Sequence, residues 1–169
     1  MSKTKRLTVA AILAGLALVT FVIEAQIPPP VPLPGIKLGL ANLYTLAAAS
    51  LLGRKEAGAV LTVRILLGSL FCGTVISLLY SAAGGLCCYL ITILLLPRLG
   101  DRLMWAVSVL GALAHNLGQI LVASAVIGGA VLYYAPALAV SAIISGAAVG
   151  ALAGLLVPIL KKRGIGSQI

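Results

Sequence analysis

Seven residues carry most of the chemistry this chain can offer: Glu24, Lys37, Asn42, Arg64, His115, Asn116 and Gln119. Each lies within or at the end of a long apolar stretch. A charged or strongly polar side chain at such a place is costly, and it usually faces the interior of a helix bundle or a cavity. His115 and Gln119 are four residues apart and share one helical face, with Asn116 beside them. Lys37, Arg64 and His115 suit an anionic or polar portion of a small ligand. Glu24, Asn42, Asn116 and Gln119 suit its orientation by hydrogen bonds. Taken singly, each has a structural use. Glu24 could pair with Lys37 or Arg64 to hold helices together, Asn42 and Gln119 could make interhelical hydrogen bonds of about 1 kcal/mol each, and His115 could simply pack. Taken together they favour a site, because charged residues are rare at this depth.

Catalysis has little support. The chain has three acidic residues, Glu24, Glu56 and Asp101. No paired carboxylates, metal cluster, phosphate loop or nucleophile elbow is present. Magnesium-dependent diphosphate chemistry needs several converging carboxylates, which this sequence does not supply, so neither metal nor cofactor is expected. Cys72, Cys87 and Cys88 lack zinc or redox spacing and read as small packing residues.

The elements that must position these residues follow from composition. Of 169 residues, 62% are hydrophobic and 9% charged, against about 25% charged in a soluble domain. No soluble fold could cover such a chain with polar surface. Membrane spans of roughly 20 residues each fit six times, giving an all-α polytopic membrane protein and a single integral domain over 1–169. The expected spans are 8–27, 36–52, two within the forty-residue apolar stretch 57–96, 103–127 and 135–160. The break inside 57–96 is placed near Gly73-Thr74. The basic start followed by an apolar run is too long for a signal peptide and reads as a retained first helix.

The run Pro28-Pro29-Pro30-Val31-Pro32-Leu33-Pro34-Gly35 is stiff and non-helical, so it belongs at the surface or buried in protein. Polar turns are expected at Gly53-Arg54-Lys55-Glu56, at 97–102 and at 128–134, with Tyr133 and Tyr134 as interface anchors.

The net charge is +9, but no basic patch interleaved with aromatics suggests nucleic acid. The basic residues fix orientation instead. With the N-terminus inside, Lys3, Lys5, Arg6, Arg54, Lys55, Arg98, Arg102, Lys161, Lys162 and Arg163 all fall inside, ten of the twelve in the chain. Both termini are therefore expected in the cytoplasm of a multi-pass cell-membrane protein. This direction puts most of the seven polar residues between the midplane and the outer surface, under the proline run. An outward-facing ligand pocket gated by that loop would account for the pattern. Gly146, Gly150 and Gly154 share one face, suited to close packing of another helix of the same chain.

Three stretches carry a family resemblance: Pro34-Gly35-Ile36-Lys37-Leu38-Gly39-Leu40-Ala41-Asn42, Tyr80-Ser81-Ala82-Ala83-Gly84-Gly85, and Gly111-Ala112-Leu113-Ala114-His115-Asn116-Leu117-Gly118-Gln119. Their order, with Arg64 between the first two, resembles the Gx transporter family, also labelled heptaprenyl diphosphate synthase component I. That family is similar in size and span count to the substrate-binding S components of energy-coupling-factor transporters. The resemblance implies an S-component-like bundle that binds a small molecule near the outer face, and partnership with a transmembrane coupling subunit and two ATPases. The Ala10-Ala11-Ile12-Leu13-Ala14 segment matches the Ala-x-x-x-Ala pattern that docks the coupling subunit, which implies a docking role for Ala10 and Ala14. The synthase label implies instead a membrane partner of a prenyl synthase, at most a non-catalytic one, because the aspartate-rich motifs of such catalysis are missing.

Overall fold

The computed structural model describes residues 1–27, 39–72 and 75–166, without the side chain of Cys72. These residues form six α-helices: α1 (Lys3–Gln26), α2 (Asn42–Leu51), α3 (Arg54–Cys72), α4 (Val75–Leu99), α5 (Met104–Ile127) and α6 (Ala135–Lys162). The proline run, with Lys37 beyond it, and the expected break at Gly73-Thr74 lie outside the described residues. α3 ends immediately before that break and α4 begins immediately after it.

Local chemistry sets the ends. The Ser2 hydroxyl accepts from the Lys5 amide and caps α1, offsetting one of the orphan donors of its first turn. Ile27 is extended (φ −82°, ψ 122°), as a residue preceding proline prefers. α2 differs from expectation. The second span was expected from residue 36, yet the helix begins at Asn42, after a turn in which Gly39 adopts φ +72°. Ten residues rise only about 15 Å, half of a hydrocarbon core of about 30 Å. The expected polar turn at residues 53–56 also contracts. Gly53, at φ +104°, makes the reversal, and Arg54, Lys55 and Glu56 form the first turn of α3. α4 continues through Pro97 and stops at Gly100 (φ +68°), where a 3-10 turn over Asp101–Leu103 leads into α5. A second 3-10 turn, Gly129–Tyr134, leads into α6.

Among the described residues, α1, α4, α5 and α6 are long and apolar enough to cross a membrane. α2 is too short, and α3 carries Arg54, Lys55, Glu56 and Arg64 within its length. Large apolar side chains line the outside, among them Leu86, Leu90 and Leu94 on α4, Leu117 and Leu121 on α5, and Ile143, Ile144 and Leu155 on α6. Such exposed apolar rows are the surface of a multi-pass membrane protein, for which lipid is the matching solvent.

α4, α5 and α6 pack in sequence, α1 packs on α3, and α2 is set between the two groups, touching α1, α3, α4 and α6. Six of its ten residues are buried. The core gathers Leu46, Ala47, Ala48 and Leu51 of α2 with Leu13 and Ala17 of α1, Val60 of α3, Met104 and Val107 of α5, and Val157 of α6. Glycines let the backbones approach. A Cβ on Gly118 would lie 2.7 Å from the Ala83 carbonyl oxygen, and one on Gly146 would lie 2.8 Å from Val109 Cα. Gly150 likewise abuts the Trp105 backbone, whereas Gly154 faces open space. Two of the three glycines expected to share a packing face therefore pack within the chain.

One end of the bundle collects the basic segments. Arg6 donates to the Leu52 carbonyl and pairs with Glu56 at 2.6 Å. Lys5 donates to the Gly164 carbonyl. Asp101 accepts from Ser50 and pairs with Lys161 at 2.6 Å. The start of α1, the α2–α3 reversal, the turn before α5 and the end of α6 thus meet.

Candidate functional site: a polar cleft beside the half-length helix

The glycine pair of α4 positions two of the expected site residues on opposite sides of that helix. Gly84 faces α5, where an added Cβ would lie 2.8 Å from His115 Cε1 and 3.0 Å from Gln119 Cγ. Gly85 faces α3, where it would meet Leu61, Ile65 and, at 3.4 Å, Arg64 Nη2. The adjacent glycines thus admit a histidine from one neighbour and an arginine from the other, a requirement that fits their place in the second quoted motif.

Arg64 is 4% exposed. Its Nη1 donates to Asn42 Oδ1 at 3.0 Å, and its guanidinium lies over the Phe21 ring, 5.9 Å from the centroid, within cation–π range. Gly68 makes room for that ring. At 1.5 Å per residue, Arg64 stands about 15 Å along from Arg54, and Asn42 about 14 Å from Leu51. Both are therefore near mid-depth, one on each of two adjacent helices. Glu24, at 6% exposed, accepts from the Gly39 amide and ties the end of α1 to the turn that starts α2. Its carboxylate also acts electrostatically on Arg64. Glu24, Asn42, Arg64 and Phe21 form one cluster at the head of α2.

Beside this cluster a cleft opens between α2, α4, α5 and α6. Its interior volume is about 30 Å³, room for one or two waters, and it is partly open at its mouth. Gly39, Asn42, Thr45 and Leu46 line it from the α2 side, Cys88 and Thr92 from α4, Ser108, Ala112, His115 and Asn116 from α5, and Ser145, Gly146 and Val149 from α6. The Asn116 amide donates to the Leu138 carbonyl at 2.7 Å, joining α5 to α6. Thr92 donates to the Cys88 carbonyl of its own helix. Thr45 is 4% exposed, and its hydroxyl has no hydrogen-bond partner among the described residues.

Of the seven residues expected from sequence, Asn42, His115 and Asn116 line the cleft. Arg64 and Glu24 stand behind Asn42, Gln119 packs against Gly84, and Lys37 lies outside the described residues. The hydroxyls of Thr45, Thr92, Ser108 and Ser145 went unremarked in the sequence. They stand on four different helices, so no spacing joins them, and serine and threonine are unremarkable in apolar helices. The cleft starts at the level of Asn42 and His115 and runs toward the basic end, reaching Thr92, about 10 Å along α4 from Leu99.

Ala10 and Ala14 are 8% and 7% exposed and belong to the core. With Ala17, Phe21 and Glu24 they make the inward stripe of α1, and the exposed alanines and glycine of that helix are Ala11, Gly15 and Ala25.

The family model for heptaprenyl diphosphate synthase component I matches residues 13–156. The chain belongs to the heptaprenyl diphosphate synthase component I family. The match runs from α1 into α6 and takes in every residue of the cleft and of the Arg64 cluster. No curated protein and no solved structure matches the chain. The family description, a component of a synthase, agrees with at most a non-catalytic subunit. A magnesium–diphosphate site does not fit the residues present. Glu24 holds Gly39, Glu56 pairs with Arg6, and Asp101 binds Ser50 and Lys161, and no group of three His, Cys, Asp or Glu converges among the described residues.

Proposed function

We propose that the chain is a non-catalytic membrane subunit that binds a small molecule in the cleft beside α2, as an S component does for uptake, in a six-span bundle with both termini cytoplasmic. The observation that carries this reading is the cleft itself: polar groups from four helices converge near mid-depth in a bundle whose outer surface is apolar. A half-length helix that starts at mid-depth is a recurrent element of transporter sites, and α2 has that form. The cytoplasmic placement of the termini is supported by the basic segments meeting at one end, the side that positive residues favour. ATP-driven uptake would require a coupling subunit and ATPases from other chains.

Native mass spectrometry of gently extracted protein tests the reading. A retained small molecule that is lost in the Thr45→Val variant supports it. A ligand retained equally by both proteins removes the cleft as its site.

The family description favours a second reading, a membrane partner of a separate heptaprenyl diphosphate synthase. Pull-down from native membranes separates the two. A co-purifying pair of ATPases supports uptake, and a soluble prenyl synthase supports the second reading.

A further inference from the structure

The ligand class can be drawn from the charge and the amide geometry of the cleft, granted that the cleft is the binding site. We infer that it takes an uncharged small molecule carrying both a hydrogen-bond acceptor and a donor on a compact ring, of the cyclic amide, ureide or aryl amide type.

Charge comes first. No lysine, arginine, aspartate or glutamate lines the cleft among the described residues. His115 is the basic residue of the lining, and its imidazole packs against Gly84 of α4; beyond it, a charged ligand near mid-depth would lack the countercharge that buried ions need. The neighbouring charges are already engaged with each other and with the fold. Arg64 is held by Asn42 and Phe21, and Glu24 holds the Gly39 amide and acts on Arg64. The sequence-based expectation of an anionic ligand meeting Arg64 is replaced by a different role. The arginine orients an asparagine, and the asparagine meets the ligand.

The amides give the polarity. A carboxamide has one acceptor oxygen and one donor nitrogen, and its orientation is read from its partners. Arg64 can only donate, so it fixes Oδ1 of Asn42 toward itself and leaves Nδ2, beside Gly39, as the group offered to the cleft. Asn116 is fixed in the opposite sense. Its Nδ2 is given to the Leu138 carbonyl, so Oδ1 remains to accept. The cleft thus presents a donor from α2 and an acceptor from α5. Thr45, buried and without a hydrogen-bond partner among the described residues, adds a hydroxyl that can do either. Leu46 and Val149 supply apolar walls for a ring. A buried polar group left unmatched is penalised, so a ligand with complementary groups is selected over a hydrocarbon of equal size.

The test uses the full chain in detergent and two matched pairs of probes, uracil with orotate and nicotinamide with nicotinate. Binding is read by equilibrium dialysis. The neutral member of at least one pair is expected to bind at least tenfold more tightly than its anion. Asn42→Asp retains an acceptor for Arg64 but loses the donor, and is expected to weaken the neutral probe at least tenfold, as is Thr45→Val. Equal or tighter binding of the anions, or no binding of either neutral probe, overturns the ligand class without touching the cleft. A neutral probe whose affinity is the same in wild type, Asn42→Asp and Thr45→Val overturns the cleft as the site, and with it this inference. The comparison of neutral and anionic probes needs no variant, so a variant that fails to fold does not shield the proposal.

Discussion

Replacing Thr45 by valine should stabilise the ligand-free protein while impairing binding. The two side chains have nearly the same shape and similar helix propensity, so the substitution isolates the hydroxyl. That hydroxyl is buried in a residue 4% exposed and has no partner among the described residues. An unsatisfied buried hydroxyl costs about 1–3 kcal/mol of desolvation. Removing it should raise stability by about 1–2 kcal/mol, which for a chain of this length corresponds to a rise in Tm of about 2–8 °C. Cys87 and Cys88 are free and only partly exposed, so a thiol-reactive fluorophore that reports their exposure on heating supplies the assay. Thr92→Val is the control, because the Thr92 hydroxyl bonds the Cys88 carbonyl one turn earlier in its own helix. Its removal should change Tm by less than about 2 °C, since such back-bonding adds little to a helix. A fall of several degrees in Thr45→Val would show that the Thr45 hydroxyl is hydrogen-bonded in the folded protein, and would refute its assignment as a group waiting for a ligand.

Gly150→Ala should destabilise by about 1–3 kcal/mol, because its Cβ meets the Trp105 backbone and lies 2.9 Å from Ser108 Cβ. Gly154→Ala, one turn on and facing open space, should be neutral or gain up to about 1 kcal/mol; equal effects of the two in thermal melts would contradict the α5–α6 packing. Lys161→Met removes the ion pair to Asp101, which is partly exposed, so a loss of no more than about 1 kcal/mol is expected, shrinking further at high salt. For orientation, single cysteines at Ser2 and Gly129 can be placed in a background whose three native cysteines are alanine. An impermeant maleimide added to intact cells should label the cysteine at 129 and spare the one at 2, and the reverse pattern would invert the proposed topology.

Composition alone made this an all-α membrane protein, since an apolar chain of this kind has no soluble surface to offer. The apolar run lengths located five of the six helices to within a few residues at most ends. The second helix escaped because hydropathy does not distinguish a full span from a half-length helix preceded by an apolar turn. That distinction rests on Gly39 in the left-handed region and on the Glu24 carboxylate holding its amide. The family motifs were legible as text, but their purpose was not. Gly84 and Gly85 became intelligible only when one was seen to face His115 and the other Arg64.

The sequence by itself determined which residues are too polar for lipid, because that is a property of each side chain and of the apolar run around it. It named Asn42, Arg64, His115 and Asn116 for that reason. Only the tertiary structure decided what those residues face. Arg64 donates to the Asn42 amide, Asn116 is fixed by a carbonyl twenty-two residues away, and four unremarkable hydroxyls on four helices line one cleft. Hydrogen bonds between helices depend on register and rotation, which are fixed by backbone contacts at glycines such as Gly118 and Gly146, and no local pattern in the sequence encodes them.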